Sequence, residues 1–490
     1  MTACNPDHVA ATATVCPDTC RPGRDWLLGL LCLWAIAVPA HGERPNIVFL
    51  YADDQAAWTI GALGNQQSRT LSLDRLYAEG IGLTNAFTTT PVCSPSRAGL
   101  LTSRYGTEIG ITDYLNQSRE PDNGLDPGLP TWPKLLQAAG YETALIGKWH
   151  VGSRDRHLPT NNGYDLFYGF RTGPGISRDP RVETQGRVRV VPGYTPDVLA
   201  DEAIRFIRAT AGQRPFLVSL HFWAPHANTA NRTPDGDRTW LPLSEADWRP
   251  FSNLDVTLPQ PDYPDLDVPR ARRMLAEYLG SVASLDRNAG RVLAALDELG
   301  IARDTVVIFT SDHGYNLGHN GIWHKGNGRW LLTTNQGNRS NMYDNSIRVP
   351  AVVRWPARLA AGRTVEQVVL NLDWFPTILD MAGVDLPSDA PVWGRSFLPL
   401  LEGKQVEWRT SFYGEYRQLH QEQVDQRMWR TEAWKLVRDS RPGKDELYNL
   451  VEDPDEHDNL IGNPSAAASQ ALDQLDQDLA GWIERISGAR

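Results

Sequence analysis

The chain has 490 residues, a length that suggests one large α/β unit with an appendage, or two to three domains. Its 59 acidic and 48 basic residues give a formal net charge of −11, which argues against a general nucleic-acid surface and against long-range attraction of a polyanion. Any anion-binding site must therefore be a local cluster of cations.

The first 40 residues have the pattern of an export leader. Residues 26–40 form an apolar run that is too short to span a bilayer and is typical of a signal peptide. Residues 38–40 offer small side chains for cleavage, so we expect a mature chain that begins near His41. We expect this chain to be exported to the periplasm or secreted, without stable insertion in a membrane; the alternative is an uncleaved membrane anchor.

From residue 46 onward, short apolar runs of β type alternate with helical stretches. The predicted strands are 46–51, 81–88, 141–146, 215–222, 305–310 and 349–353. The predicted helices are 71–79, 132–139, 198–209 and 274–299, with a further helix beginning at about residue 96. This alternation predicts an α/β fold in which a large, mostly parallel sheet is sandwiched by helices.

The character of the sequence changes at about residue 405. Short runs of alternating apolar residues at 411–416, 426–430 and 433–438 are followed by an amphipathic stretch at 466–486. We therefore predict a catalytic α/β domain over residues 44–404 and a C-terminal subdomain over residues 405–490. That subdomain should be a small antiparallel sheet with one helix.

Polar side chains follow four of the predicted strands. They are Asp53 with Asp54, Lys148 with His150, His226, and Asp312 with His313. Because ligands of open α/β sheets gather beyond the carboxyl ends of the strands, these residues predict a single site. The alternative is that they only cap buried strand ends.

Three of these residues are carboxylates, namely Asp53, Asp54 and Asp312. Brought together, they would repel one another unless a cation lay among them. Oxygen ligands favour a hard metal ion, so the sequence predicts Ca²⁺ or Mg²⁺ here.

Cys93 is the remaining thiol once the leader is removed, because the other four cysteines lie within the first 32 residues. The residues after Cys93 are Ser, Pro, Ser and Arg97, which are typical of a loop with a fixed cation. A buried cysteine that acts as a small hydrophobic residue is the alternative.

The stretch from Cys93 to Arg104 resembles the signature of the type I sulfatases, Cys-x-Pro-Ser-Arg followed by small and apolar residues and Leu-Thr-Gly-Arg. It departs from the signature at Ser103, where the family has glycine. Further stretches that resemble the family pattern are 147–150, 221–226, 318–326 and 446–454. The resemblance spans about residues 44–459 and implies an alkaline phosphatase-like fold.

The resemblance also implies a modified nucleophile. In that family a maturation enzyme oxidises the cysteine to formylglycine, whose hydrated aldehyde attacks sulfur. Metal ligands are implied at Asp53, Asp54, the modified Cys93, Asp312 and His313. Ca²⁺ is the first expectation and Mg²⁺ the alternative.

The family pattern assigns roles to the remaining polar residues. Lys148 and Lys325 would bind the sulfate group, and His226 with Lys325 would protonate the leaving oxygen. His150 would deprotonate the second hydroxyl of the diol, and Arg97 would hold the diol oxygen. By resemblance, the chain is therefore expected to be a sulfuric ester hydrolase.

The substrate expectation depends on composition and on export. The 17 tryptophans and 15 tyrosines suit stacking on sugar rings, so we expect a sulfated carbohydrate substrate. Arg154, His157, and Arg329 with Trp330 in the loop 326–342 are candidates for binding the substrate beyond its sulfate; a loop without function is an equal alternative. Two other functions remain open: a phosphonate monoester hydrolase or phosphodiesterase of the same superfamily, and a non-catalytic protein that binds anions or glycans.

Overall fold

The structure is a computed structural model that describes residues 44–488, except 174, 235, 329–330, 335–336, 389 and 421. The predicted leader and the loop residues Arg329 and Trp330 lie outside the described residues. None of the helices within the described ranges has the length and hydropathy needed to cross a membrane.

The strands largely follow the predicted apolar runs. The strands of the described residues are β1 (Asn46–Ala52), β2 (Ile81–Leu83), β3 (Ala86–Phe87), β4 (Glu142–Lys148), β5 (Leu166–Phe170), β6 (Arg181–Thr184), β7 (Arg187–Val190), β8 (Phe216–His221), β9 (Asn228–Arg232), β10 (Arg238–Thr239), β11 (Thr305–Ser311), β12 (Ala351–Arg354), β13 (Arg363–Val365), β14 (Val369–Leu370), β15 (Ser411–Gln418), β16 (Val424–Thr431), β17 (Trp434–Asp439) and β18 (Glu446–Asn449).

The helices range from single turns to the 31-residue helix α7. The α-helices of the described residues are α1 (Leu71–Glu79), α2 (Cys93–Thr102), α3 (Gly106–Ile109), α4 (Trp132–Ala138), α5 (Thr195–Thr210), α6 (Glu245–Trp248), α7 (Val268–Glu298), α8 (Asp344–Ile347), α9 (Trp374–Ala382), α10 (Leu398–Leu401) and α11 (Ala466–Gly488).

Ten strands form one large sheet in the order β13-β2-β12-β11-β1-β8-β4-β5-β6-β7. The central strands β11, β1, β8, β4 and β5 are parallel, whereas β12 and the β6–β7 hairpin are antiparallel to their neighbours. The predicted fold of a mostly parallel sheet between helices is confirmed, with antiparallel strands toward its edges.

The central strands are buried on both faces, which explains their continuous apolar sequence. In β1, Phe49 and Tyr51 pack on one face of the sheet with helices α2, α4 and α9. Val48 and Leu50 pack on the other face with α1, α5 and α7. This alternation follows from the two-residue period of a strand and gives three layers of helix, sheet and helix.

The C-terminal part forms a second sheet in the order β15-β16-β17-β18, all antiparallel. One hydrophobic cluster contains Phe412 and Met428 of this sheet, Leu475 of α11, and Phe87 and Tyr105 from the N-terminal half. The small sheet and helix that the sequence predicts are therefore present, and they are packed on the large unit.

Candidate active site

The polar strand ends meet because β11, β1, β8 and β4 are consecutive neighbours in the sheet. Asp53 follows β1, Asp312 follows β11, and Lys148 ends β4, so all three lie at the same edge of the sheet. Gly147 allows the close approach of β4 to β8, because a Cβ atom there would lie 1.9 Å from the carbonyl oxygen of His221. The topology thus places these side chains in one buried site.

Cys93 is the first residue of helix α2 and is 2% exposed. The expectation of a loop at this point, with a helix beginning near Ser96, is wrong. Ser94 and Pro95 occupy the first helical turn, where a proline costs little because the first N–H groups have no partner within the helix. The side chain of Cys93 therefore lies at the positive end of the α2 dipole.

Three polar groups surround the sulfur of Cys93. Its Sγ atom is 3.1 Å from Lys325 Nζ, 3.3 Å from His313 Nε2 and 3.6 Å from Asp53 Oδ1. Burial raises the pKa of the Cys93 thiol, but the charges of Lys148, Lys325 and His313 together lower it by more. The net pKa therefore lies well below its ordinary value. The site therefore favours a negative charge at this atom.

Each of the three carboxylates contacts a cation. Lys148 Nζ is 2.6 Å from Asp53 Oδ2, Arg97 Nη2 is 2.9 Å from Asp312 Oδ2, and Lys325 Nζ is 2.5 Å from Asp54 Oδ1. We call the central cluster the group formed by these six residues with Cys93 and His313, all of which are buried.

The ligand atoms of Asp53, Cys93, Asp312 and His313 all lie within 4.8 Å of one another. This spacing fits one cation bonded at about 2.0–2.6 Å to each ligand. Asp54 lies beside the group, with Oδ1 3.1 Å from His313 Nε2 and with Oδ2 lacking a hydrogen-bond partner in the protein. The residues present thus fit a hard divalent metal ion.

The electrostatics of this group also favour a cation. Burial, and then the charge of Asp312, raises the pKa of Asp53 well above its ordinary value, although Lys148 acts in the opposite sense. Burial lowers the pKa of His313, but Asp312, Cys93 and Asp54 together outweigh it, so the net pKa rises to about 10. The group therefore binds positive charge strongly at His313.

His150 and His226 line the same cavity, as does His324. His150 has a φ of 60°, which is unusual for a residue with a side chain, and its Nε2 atom is 3.3 Å from the carbonyl oxygen of Leu115. Burial, with the charge of Lys148, lowers the pKa of His150 to about 4. Burial lowers the pKa of His226 to about 3, against the nearby charge of Asp54. Both imidazoles are neutral at pH 7.

A cavity of about 330 Å³ opens above the central cluster. Of the residues that the sequence predicts for the site, Cys93, His150, His226 and Lys325 line the cavity, and the others lie beneath it. The other described lining residues are Val92, Tyr114, Leu115, Asn116, Gln117, Ser118, Thr172, Gly173, Ala227, Thr229, Arg238, His324 and Asn327. No carboxylate is among the described lining residues.

Sequence reasoning missed several residues of this site. Arg238 lines the cavity from β10, where no motif marks it. Tyr51 and His221 lie beneath the cavity: Arg97 is stacked over the Tyr51 ring at 5.0 Å, and His221 Nδ1 is 3.1 Å from the Lys148 carbonyl oxygen. The position of His221 at the end of β8 was the available signal.

Two residues proposed to bind substrate do not line the cavity. Arg154 is an exposed residue whose Nε atom is 3.0 Å from Asp122 Oδ1. His157 is buried, and its backbone carbonyl oxygen accepts a hydrogen bond from Trp149 Nε1 at 2.8 Å. The 3₁₀ turn Asp155–His157 folds back against Gly124 and Gly152, so a role of this pair in binding substrate stays a prediction.

The fold and the site define an enzyme of the alkaline phosphatase-like class. The family model "Sulfatase" matches residues 45–384, and the model "N-sulphoglucosamine sulphohydrolase, C-terminal" matches residues 337–484. The chain belongs to the sulfatase family and is a sulfuric ester hydrolase, as the resemblance at Cys93 predicted.

Individual relatives agree with this assignment. The N-acetylglucosamine-6-O-sulfatase of Bacteroides thetaiotaomicron is 29% identical over 90% of this chain and 88% of its own. The steryl-sulfatase of Mus musculus is 33% identical over 73% of this chain and 65% of its own. A structure described as a complex with its substrate D-glucosamine-2-N,6-O-disulfate matches 91% of this chain and 99% of its own, with 26% identity and a TM-score of 0.76.

Proposed function

We propose that this enzyme removes sulfate esters from an extracellular sulfated carbohydrate, using a formylglycine made from Cys93 and a divalent metal ion. The observation that carries the proposal is the position of Cys93 Sγ, which lies 3.1 Å from Lys325 Nζ in a buried group of metal-binding geometry. A cysteine that acts only as a small hydrophobic residue does not need two lysines, three carboxylates and a histidine around it.

The metal ion would be held by Asp53, Asp54, Asp312, His313 and the modified side chain at position 93. Ca²⁺ is the first expectation, because carboxylates dominate this set, and Mg²⁺ is the alternative. When bound, the ion polarises the sulfate group and favours the ionised nucleophile. Formylglycine supplies an aldehyde whose hydrate is a nucleophile, so a formylglycine-generating maturation enzyme is a required partner.

The protein's own cations would bind and orient the sulfate ester. Lys325 lines the cavity next to Cys93. Lys148 does not line the cavity and is paired with Asp53 of the central cluster. Burial lowers the pKa of Lys325, but the charge of Asp54, together with those of Cys93 and the other carboxylates, outweighs it, so the net pKa is raised and the side chain stays charged. Fixed cations in a site shielded from water stabilise charge that develops on the sulfate oxygens and the leaving oxygen.

Proton transfer is assigned to His150 and to Lys325 with His226. His150 is neutral at pH 7 and can accept a proton from a hydroxyl at position 93. His226, with Nε2 3.8 Å from Asp54 Oδ2, would orient the leaving oxygen, and the charged Lys325 of the same cavity would donate the proton. Arg97, fixed by Asp312, would hold the nucleophile's oxygen in place.

Coverage of the relatives favours a carbohydrate over a sterol. The N-acetylglucosamine-6-O-sulfatase aligns over 88% of its length, whereas the steryl-sulfatase aligns over 65%. The match to the C-terminal region of N-sulphoglucosamine sulphohydrolase extends the likeness to residue 484. The lining of the cavity includes amide and hydroxyl side chains such as Asn116, Gln117 and Thr229, which suit sugar hydroxyls.

Sulfate release is the test of the reaction. Enzyme coexpressed with a maturation enzyme should release sulfate from 6-sulfated N-acetylglucosamine and from nitrophenyl sulfate. It should turn over phenyl phosphonate and phosphodiesters much more slowly, and a preference for these would favour the phosphonate hydrolase alternative. Ligand binding without any turnover, and with an unmodified Cys93, would favour the non-catalytic alternative.

The leader, the export and the domain division stay proposals. N-terminal sequencing of the protein from a host with a signal peptidase should give a start near His41, and an intact N-terminus in the membrane fraction would contradict it. Limited proteolysis should cut near residue 405 if residues 44–404 and 405–490 are separate folding units.

A further inference from the structure

Two positive charges line the cavity at different places. Lys325 and Arg238 are the permanently charged side chains among its described lining residues. Lys325 is engaged at the reacting end, where its Nζ atom is 2.5 Å from Asp54 Oδ1 and 3.1 Å from Cys93 Sγ. Arg238 thus supplies positive charge elsewhere in the same cavity, in a chain whose formal net charge is −11.

Arg238 is held by a rigid support. The residue before it, Asp237, accepts hydrogen bonds from Arg270 Nη2 at 2.6 Å and from Arg273 Nη2 at 2.9 Å, both on α7. The residue after it, Thr239, donates to Glu277 Oε2 at 2.5 Å, also on α7. These contacts fix the backbone on both sides of Arg238, whose own side chain lines the cavity.

The same support is tied to the reacting end of the cavity. Trp240 donates its backbone N–H to Glu277 Oε2 at 3.1 Å, and its Nε1 donates to the carbonyl oxygen of Pro225 at 2.6 Å. Pro225 immediately precedes His226, which lines the cavity. The backbone of residue 238 is thus held at a set position relative to His226, so its side chain can reach a ligand group at a limited distance from the scissile bond.

We propose that Arg238 binds a second anionic group of the substrate, a sulfate or a carboxylate on the sugar that carries the scissile ester or on its neighbour. This inference rests on the proposed function and narrows its substrate class to carbohydrates with more than one anionic group. Arginine suits the role because its planar donors bind sulfate and carboxylate oxygens in pairs. Both charged ends lie in one cavity of about 330 Å³, within reach of a single sugar unit and its substituents.

The test measures kcat/KM on four substrates: nitrophenyl sulfate, 6-sulfated N-acetylglucosamine, glucosamine-2-N,6-O-disulfate, and a disaccharide that joins 6-sulfated N-acetylglucosamine to a uronic acid. Wild-type enzyme should prefer one of the last two over the monosulfated sugar by about 10- to 100-fold. The disulfated sugar identifies a second sulfate as the ligand, and the disaccharide identifies a carboxylate.

Arg238→Gln should abolish that preference, and Arg238→Lys should retain part of it. The matched control is Arg232→Gln, at the exposed residue paired with Arg238 in the β9–β10 hairpin, which should keep the wild-type preference. Thermal unfolding checks each fold, and if Arg238→Gln fails to fold, the preferences of wild type and Arg238→Lys carry the test.

Two results would overturn the inference while leaving the proposed function in place. One is a wild-type enzyme that cleaves all three sugars equally well, and the other is an Arg238→Gln enzyme that keeps the wild-type ratios or loses all four activities equally. If wild type releases sulfate from no sugar, the proposed function fails, and the inference fails with it.

Discussion

The central cluster and a second buried group of charges differ in how completely their hydrogen bonds are satisfied. The second group, which we call the seam cluster, consists of Asp344, Arg430, Lys435 and Glu456, where the C-terminal sheet meets the large unit. Lys435 is fully buried, yet its Nζ atom is 2.5 Å from Asp344 Oδ1, 2.6 Å from Glu456 Oε1 and 3.1 Å from the carbonyl oxygen of Met342.

Every charged group of the seam cluster has partners inside the protein. Arg430 donates to both oxygens of Asp344, and Asp344 donates its backbone N–H to Glu456 Oε2. In the central cluster, by contrast, Asp54 Oδ2 has no hydrogen-bond partner in the protein. Buried polar groups that lack partners within the protein are typical of sites built for a ligand. We therefore expect substitutions in the seam cluster to lower stability and substitutions in the central cluster to lower turnover.

The largest expected effect is that of Asp312→Asn. This change removes one carboxylate of the metal group, so turnover should fall by about 10³-fold or more. The amide oxygen can still accept from Asp54 N, now 3.1 Å from Asp312 Oδ1, so the fold should persist. Sulfate release and thermal unfolding measure the two quantities.

The seam carboxylate provides the matched control for that change. Asp344→Asn should lower the midpoint of unfolding while the folded fraction keeps wild-type turnover. Near-full turnover in Asp312→Asn would contradict the catalytic role of the central cluster. Loss of turnover without loss of stability in Asp344→Asn would contradict the structural role of the seam cluster.

Metal removal is the second prediction. Dialysis against a chelator should reduce turnover by about 10²-fold or more, because several kcal/mol of charge stabilisation is lost. It should also lower the thermal midpoint, since an ion that binds the folded state stabilises it. Added Ca²⁺ should restore both. Turnover that survives chelation, in protein without metal by elemental analysis, would contradict the metal assignment.

Lys435→Met tests the other side of the comparison. It leaves Asp344 and Glu456 buried with one cation fewer, so the free energy of unfolding should fall by about 3 kcal/mol. The exposed Lys444, on the same subdomain, provides the control. Lys444→Met should change the free energy of unfolding by less than about 0.5 kcal/mol. Denaturant titration measures both free energies of unfolding. Equal effects of the two variants would show that the buried Lys435 contributes no more to stability than an exposed lysine.

Asp286 belongs to neither cluster, and the smallest predicted effect is the change in stability with pH that it causes. It is buried and accepts backbone N–H groups from Ser72 at 3.1 Å and Leu73 at 2.7 Å. Burial raises the pKa of Asp286 to about 6, which these hydrogen bonds oppose but do not offset. A raised carboxyl pKa means that the folded state holds the proton more tightly, so stability falls as pH rises from about 4 to about 6.

Asp286→Asn removes this dependence on pH. Relative to wild type, the variant should gain about 2–3 kcal/mol in free energy of unfolding between pH 4 and pH 7, whatever its constant cost. Urea titrations at the two pH values measure this difference. A difference that does not change with pH would show that Asp286 has an ordinary pKa in the folded protein.

Much of the fold could be predicted from the sequence because the central strands are buried on both faces. The run 46–51 is continuously apolar for that reason and matches β1, and the polar residues after β1, β4 and β11 mark the site. The β6–β7 hairpin was not predicted: β7 is exposed along its whole length, although its alternating Arg and Val residues are typical of a strand. Arg238 escaped because it reaches the cavity through contacts of its neighbours with α7, which are distant in sequence.

The helix that begins at Cys93 shows the limit of local patterns. Ser, Pro, Ser and Arg favour a loop when they are considered alone, but the structure places all four inside α2, fully buried. Burial is possible because Arg97 is paired with Asp312 and donates from Nη1 to the carbonyl oxygen of Lys148 at 3.1 Å. That pairing spans more than 200 residues of sequence and could be inferred only from the family resemblance.

The central claim is that Cys93 must become formylglycine for the enzyme to act. The most direct measurement is the intact mass of the peptide that contains Cys93, compared with sulfate turnover in preparations made with different amounts of maturation enzyme. The conversion replaces one sulfur and two hydrogens by one oxygen. Turnover should rise in proportion to the converted fraction and extrapolate to zero at no conversion. Full turnover by protein in which Cys93 is entirely an unmodified thiol would contradict the account.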